Sequence, residues 1–237
     1  MTTGERRFAS RLGWGLAIAM VACGAPATAR APDAPRSEAP PSATAPSDAG
    51  DDRRTTASYR FPERGQFDAW LSQGHAADFS ACEALLRAEG VADVLPAWTL
   101  WYQGTDWRAL GAEPFTVPPR EDWPRAVPTL RLIRDGVVPV VGPVQVVSGY
   151  RTLAYNERAG GAKRSAHLRF GAFDLVPERP WERQALIDDL LRLHARLGRA
   201  SAFGLGIYSG VRFHVDTASM RYWPKPELSE RSKALGL

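Results

Sequence analysis

Cysteine is scarce in this chain, with two residues in 237, Cys23 and Cys82. That leaves one conceivable disulfide, between Cys23 and Cys82, and rules out a framework of several bridges holding the fold together. A strong charge of one sign is also missing. The formal net charge is +4; residues 1–58 carry 7 basic against 6 acidic residues, leaving 23 against 20 for the rest. So thin a balance makes no case for nucleic acid and gives only a slight pull toward anionic partners. Long apolar runs are absent apart from Leu12 to Ala22, which is too short to cross a bilayer as a mature helix. Histidine is sparse too: four residues, His75, His167, His194 and His214.

What is present begins with an export signal over residues 1–29. Arg6, Arg7 and Arg11 precede the apolar run, and two exits follow it. Met20-Val21-Ala22-Cys23 resembles a bacterial lipobox, with Cys23 as the lipidated first mature residue. Ala27-Thr28-Ala29 fits an ordinary A-x-A cleavage. The lipobox is preferred because the cysteine ends the apolar run directly. A disulfide to Cys82 would require Cys23 to escape lipidation; Cys82, near Phe79, Leu85 and Leu86, reads as a small buried hydrophobe. Residues 24–58 are Ala, Pro, Ser, Thr, Asp and Arg with almost nothing to bury, which predicts a disordered, partly extended tether. The expected location is outside the cytoplasm, periplasmic or in the cell envelope, with a lipid anchor to a membrane.

Residues 59–237 have the composition of one globular domain, with a helical extension at 59–128. Helical spacing covers Phe67 to Leu71, Asp78 to Glu89 and Ala126 to Arg134, the last stopped by Gly136. The longest helix, Trp181 to Leu197, enters through Pro180, closes at Gly198 and carries a stripe of Leu186, Leu190, Leu193 and Leu197. His194 beside that stripe and His75 in a Gly-His-Ala loop read as packing or surface residues. Trp98, Trp101, Tyr102, Trp107 and Trp123 read as core.

Short strands are expected at Val144 to Ser148, Ala172 to Val176, Leu205 to Tyr208 and Val211 to Asp216. The fold class is therefore α+β, a small antiparallel sheet flanked by helices. Period two on the last strand sends Val211, Phe213 and Val215 to one face and Arg212, His214 and Asp216 to the other. Asp174 lies between Phe173 and Leu175, where an unpaired carboxylate is costly unless it meets a metal or a strong partner. Together with His167, these residues supply a zinc site: two histidines and one carboxylate, leaving a fourth position open for catalysis.

The order and spacing of three motifs identify a resemblance. Ser148-Gly149-Tyr150-Arg151-Thr152 is followed by Asn156; Ser165-x-His167 is followed by Asp174; and Gly204-x-Gly206-x-Tyr208 leads to His214-Val215-Asp216-Thr217, Arg221 and Trp223. From about Thr129 to Trp223 the chain resembles the zinc D-Ala-D-Ala carboxypeptidases and peptidoglycan endopeptidases whose fold is shared with the hedgehog signalling domain. The resemblance implies one zinc ion on His167, Asp174 and His214. It further implies a D,D-carboxypeptidase releasing terminal D-alanine from peptidoglycan stem peptides, with an endopeptidase or a noncatalytic zinc-holding wall-binding module as alternatives. A monomer is expected.

Asp216, two residues from His214 on the same face, is the candidate base, with a supporting acceptor for a histidine as its alternative. Arg151 is the candidate clamp for a substrate carboxylate or developing oxyanion, against the alternative of pairing with a structural carboxylate. Tyr150, Ser165 and Trp223 are candidate substrate contacts; Ser165 could instead shape the loop that presents His167. Two departures stand out. Phe170 occupies the place, three residues after His167, where many relatives carry glycine. Val211 and Arg212 fill the places where many relatives carry their base.

Overall fold

The computed structural model describes residues 59–237. The export signal, Cys23 with its lipobox and the tether at 24–58 lie outside the described residues. The extension folds into α1 (Arg64–Leu71) and α2 (Ala76–Ala88), followed by a 3-10 turn at Ala97–Trp101. Its core is aromatic: Phe67 meets Trp70, Phe79, Trp98 and Phe115 at ring separations of 5.0–5.9 Å. Trp101, Tyr102 and Trp123 are buried and Trp98 and Trp107 are partly so, while Cys82 is free and buried, with its thiol pushed up to about 12 by burial.

The helix expected to stop before Gly136 continues past it. α3 (Ala126–Leu132) runs through a π-helical turn, Ile133–Val137, into α4 (Val138–Val141), and Gly142 at φ 85° closes the run. Gly136 is not a terminator, because it is buried where an added Cβ would meet Leu132, Leu193 and Leu197 at 3.4–3.6 Å. It serves as a close-packing point against the longest helix, α6 (Arg183–Leu197), which follows the short α5 (Leu153–Arg158) and whose Leu186, Leu190 and Leu193 are buried and first turn is capped by Glu182.

The sheet is built from β1 (Val144–Ser148), β2 (Ala172–Pro177), β3 (Gly204–Ile207), β4 (Phe213–Asp216) and β5 (Arg221–Trp223) in the order β1-β2-β4-β3-β5. It is antiparallel except for β5, which runs parallel to β3. Neither β5 nor the C-terminal helix α7 (Lys225–Ala234) was expected from the sequence. β4 begins at Phe213 rather than Val211, since Tyr208 and Arg212 close a hairpin, the Tyr208 N–H donating to the Arg212 carbonyl at 3.1 Å.

Residues opposite one another in an antiparallel pair share a face. Phe173 opposes Val215 and Leu175 opposes Phe213, all fully buried; Asp174 opposes His214 and Ala172 opposes Asp216 on the other face. Between Val146 and Ser148 the β1–β2 register slips by one residue. Strict alternation would leave Ser148 on the same face as Val146. The bulge turns it to the face of Asp174, at the point where the Arg151 motif begins.

The helical extension forms one wall of that motif. The Gly149 N–H donates to the Tyr102 carbonyl at 2.7 Å and the Tyr150 N–H to the Leu100 carbonyl at 3.0 Å. The Ser148 hydroxyl donates to the Gln103 carbonyl at 2.5 Å, and Gln103 Oε1 accepts from both the N–H and the hydroxyl of Thr152. A side chain at Gly149 would collide with the Leu100 carbonyl, so only glycine allows the two backbones to approach this closely.

Candidate metal centre

Three elements deliver three ligating atoms. Asp174 comes from β2, His214 from the adjacent β4, and His167 from a 3-10 turn at Ala166–Arg169. Ser165 caps that turn, its hydroxyl accepting the His167 N–H at 3.3 Å, so it shapes the loop that presents His167. The turn ends on Phe170 at φ 54°. The left-handed backbone that glycine would supply is thus retained by a phenylalanine, held by full burial of its ring against Tyr150 and Phe173. Tyr150, expected to touch substrate, is packed here, and burial raises its hydroxyl pKa.

Hydrogen bonds fix which histidine nitrogens point inward. His167 Nδ1 faces the Gly149 carbonyl at 2.7 Å. A carbonyl can only accept, so Nδ1 carries the proton and Nε2 presents a lone pair. His214 Nε2 faces an oxygen of Asp216 at 2.8 Å. With Nε2 donating there, His214 Nδ1 is the atom left to ligate. The three inner atoms, His167 Nε2, His214 Nδ1 and one oxygen of Asp174, are separated by 2.9–3.2 Å. Three lone-pair atoms converging in a buried place repel unless a cation lies among them, and two imidazoles with one carboxylate are a zinc-type donor set. All three residues are buried.

The electrostatics are arranged in the same sense. Burial, then Arg151, pushes His167 down to about 4, which keeps its ring neutral and able to ligate. Burial also disfavours charge on His214, but its hydrogen bonds to Asp174 and Asp216 outweigh this and hold it above the usual imidazole value. Of the two histidines, His214 is therefore the first to take up a proton as the pH falls. Burial opposes the charge of Asp174, yet His167, Arg212 and Arg151 hold its carboxyl well below the usual carboxylate range.

Two expected roles require correction. Asp216 is not beside the metal position. It lies behind His214, on the Nε2 side, and its oxygens are taken by Arg221 in a two-pronged pair at 2.6 and 3.0 Å and by the Ala218 N–H at 2.8 Å. Although burial opposes its charge, His214 and Arg221 bring it down to about 2, far too weak a base to accept a proton at neutral pH. Asp216 orients His214. Arg151 is also committed: Nη2 donates to Asp174 at 2.5 Å and Nε to Ser148 at 2.8 Å, so the fork expected to clamp a substrate carboxylate holds a structural one.

One site residue, Arg212, had no role assigned from the sequence. Arg212 Nη2 donates to the same Asp174 oxygen as Arg151, at 2.6 Å. Strand alternation placed Arg212 on this face, but nothing indicated its partner. Trp223 stands with its ring 4.8 Å from that of His214 and forms a wall. Gly204 and Gly206 explain the spacing of their motif: side chains there would run into the Asp216 carboxylate and the Trp223 ring respectively. His194 packs against Phe203 and Tyr222, and His75 stacks on Trp70 at 4.0 Å; both are remote from the centre in role.

Residues 115–216 match the family model described as Peptidase M15. No curated protein and no solved structure matches the chain. The matched segment contains β1, β2, β3, β4 and all three ligating residues. Family model, mixed α/β fold and donor set thus coincide on one stretch of sequence, and the segment that carries the candidate metal site is similar to the Peptidase M15 family.

Proposed function

We propose that the chain is a zinc peptidase of bacterial cell-wall peptidoglycan, exported and anchored by lipid at Cys23, that cleaves stem peptides, with release of terminal D-alanine as its first candidate reaction. The carrying observation is the buried convergence of His167 Nε2, Asp174 and His214 Nδ1, with both outer ring nitrogens already satisfied. One zinc ion held by these residues supplies Lewis acidity toward the scissile carbonyl and the attacking water. The protein's own part is to keep His167 neutral, to lock His214 through Asp216 and Arg221, and to hold Asp174 ionised between Arg151 and Arg212. Those two buried guanidiniums leave the pocket positively biased, which suits stem peptides bearing carboxylates.

A second reading, an endopeptidase cutting cross-links, draws support from one observation. Arg151 is engaged with Asp174 and Ser148, so a terminal carboxylate lacks the bidentate clamp that a carboxypeptidase calls for. The test is incubation of the zinc-loaded chain with defined muropeptides, with products weighed by mass spectrometry. Loss of one terminal alanine identifies the carboxypeptidase, and conversion of cross-linked dimers to monomers the endopeptidase. No change in any peptide refutes both and leaves a wall-binding module.

A further inference from the structure

The turn that presents His167 is held at both ends, and only its first end, the Ser165 cap, lies in a motif. Its last residue is Arg169, followed by Phe170 in the left-handed backbone at φ 54°, which costs a residue other than glycine free energy unless its surroundings impose it. Part of what imposes it comes from 47 residues away. A 3-10 turn at Arg120–Arg125 carries Asp122, whose two carboxylate oxygens accept from Arg169 Nε at 2.8 and 3.0 Å, while Arg169 Nη2 lies 2.8 Å from the first of them. Arg125 Nε donates to that same oxygen at 2.9 Å. The Asp122 side chain is only 4% exposed, whereas those of Arg169 and Arg125 are 57% and 54% exposed. Taking a carboxylate out of water is costly unless it is paired, so a buried one met by surface arginines anchors the segments that bring them. The anchor is itself docked. The Asp122 N–H donates to the Pro119 carbonyl at 2.9 Å, the Trp123 indole to the Pro118 carbonyl at 2.9 Å, and Arg120 Nε to Asp78 of α2 at 2.9 Å. Beyond Phe170, the Gly171 carbonyl accepts from the Thr129 hydroxyl at 2.8 Å.

We infer that Asp122 is a positioning residue of the metal centre: through Arg169 its carboxylate sets the turn on which His167 stands, and with it the direction in which His167 Nε2 meets the metal. The link is short. Arg169 is two residues from His167, and the His167 carbonyl accepts from the Phe170 N–H at 3.3 Å and from the Arg151 N–H at 3.2 Å. The ring is tied at its outer nitrogen to the Gly149 carbonyl at 2.7 Å. Releasing Arg169 frees Phe170 to leave the left-handed region, and the carbonyl and ring of His167 then lose their common reference. A role confined to stability would lower the unfolding midpoint and leave the metal geometry alone. A positioning role changes metal affinity and geometry in a protein that is still folded.

This inference rests on the zinc-site part of the reading above, and two variants of the full chain test it. Asp122→Asn keeps the shape and removes the charge; Arg169→Ala removes the partner from the surface and leaves the core intact. Each, folded by circular dichroism, should bind zinc about tenfold more weakly in competition with a chromophoric chelator, and the visible band of the cobalt-loaded chain should shift alike in both. The double variant should lose no more than the weaker-binding single one, because both substitutions break one pair. Arg125→Ala, which takes the other arginine from the same carboxylate, should keep wild-type zinc affinity and cobalt spectrum. Wild-type zinc affinity in folded Arg169→Ala, or losses that add in full in the double variant, would overturn the assignment. If the unmodified chain cleaves no peptide, the peptidase reading falls and the zinc comparison still decides the role of Asp122. If it binds no zinc, the exchange rate of the His167 Nδ1 proton, followed by NMR, decides whether Asp122 places that ring: a rate about tenfold faster in Arg169→Ala supports it, and an unchanged rate refutes it.

Discussion

Residues 115–216 and residues 59–114 contribute to the centre in different ways. The first stretch supplies every ligating atom and each guanidinium on Asp174. The second supplies none, yet the Leu100 and Tyr102 carbonyls and the Gln103 backbone and side chain hold Ser148 to Thr152 in place. Gly149 shows the link: its N–H is fixed by the extension at 2.7 Å while its carbonyl receives His167 Nδ1, also at 2.7 Å. Ligand chemistry is written in the matched segment, whereas part of ligand placement is written outside it.

The largest effect that would break this division is expected within the matched segment. His167→Ala and His214→Ala each remove one of three donors, and zinc content after gel filtration should fall to background, with hydrolysis lost in parallel. Retained stoichiometric zinc in either variant would refute the ligand assignment. Asp216→Ala comes next. As a supporting acceptor its loss should weaken zinc binding by about 10–100-fold, measured by competition with a chromophoric chelator, and activity should recover at saturating zinc. Turnover that stays abolished with zinc fully bound would restore Asp216 as the base.

Acid should separate the two histidines. A group whose metal-free pKa is raised keeps its proton to higher pH and so competes longer with the metal. His214 lies above its ordinary 6.5, while His167 stays neutral down to about 4. The apparent zinc affinity should therefore begin to fall already above pH 6.5, by about tenfold per pH unit as one proton competes, with Asp216 still ionised since it titrates near 2. An apparent zinc affinity that stays flat from pH 7.5 down to pH 5 would contradict the raised His214 pKa.

How much of this could be read from the chain follows the same boundary. The ligands, the split faces of β4 and the long helix α6 follow from local spacing, since alternation and the 3.6-residue period are properties of neighbouring residues. The directions of Asp216 and Arg151 do not. Two residues along a strand fix the face of Asp216, but which side of His214 it reaches depends on Arg221 and on the space left by Gly204. Arg151 meets Asp174 across 23 residues because a bulge at Val146 to Ser148 turns the chain, and no composition signal marks a bulge. β5 escaped notice for a related reason: three residues, Arg221–Trp223, are too few to display alternation.

Gln103 offers the smallest and most discriminating test, because its contacts to Thr152 span 49 residues and carry no motif. Its Oε1 accepts two hydrogen bonds from Thr152, at 3.0 and 2.9 Å, and its Nε2 donates one to the Glu113 carbonyl at 2.8 Å, all in a buried place. Gln103→Ala leaves the Thr152 N–H without that partner, which should cost about 1–3 kcal/mol in urea unfolding of the metal-free chain. Its backbone carbonyl, and the Tyr102 and Leu100 carbonyls that fix Gly149 and Tyr150, are untouched by the substitution. Zinc affinity should therefore stay at the wild-type value even as stability falls. If zinc affinity falls as well, the side chain of Gln103 reaches through Arg151 to Asp174, and the extension must be counted as part of the metal centre rather than as its wall.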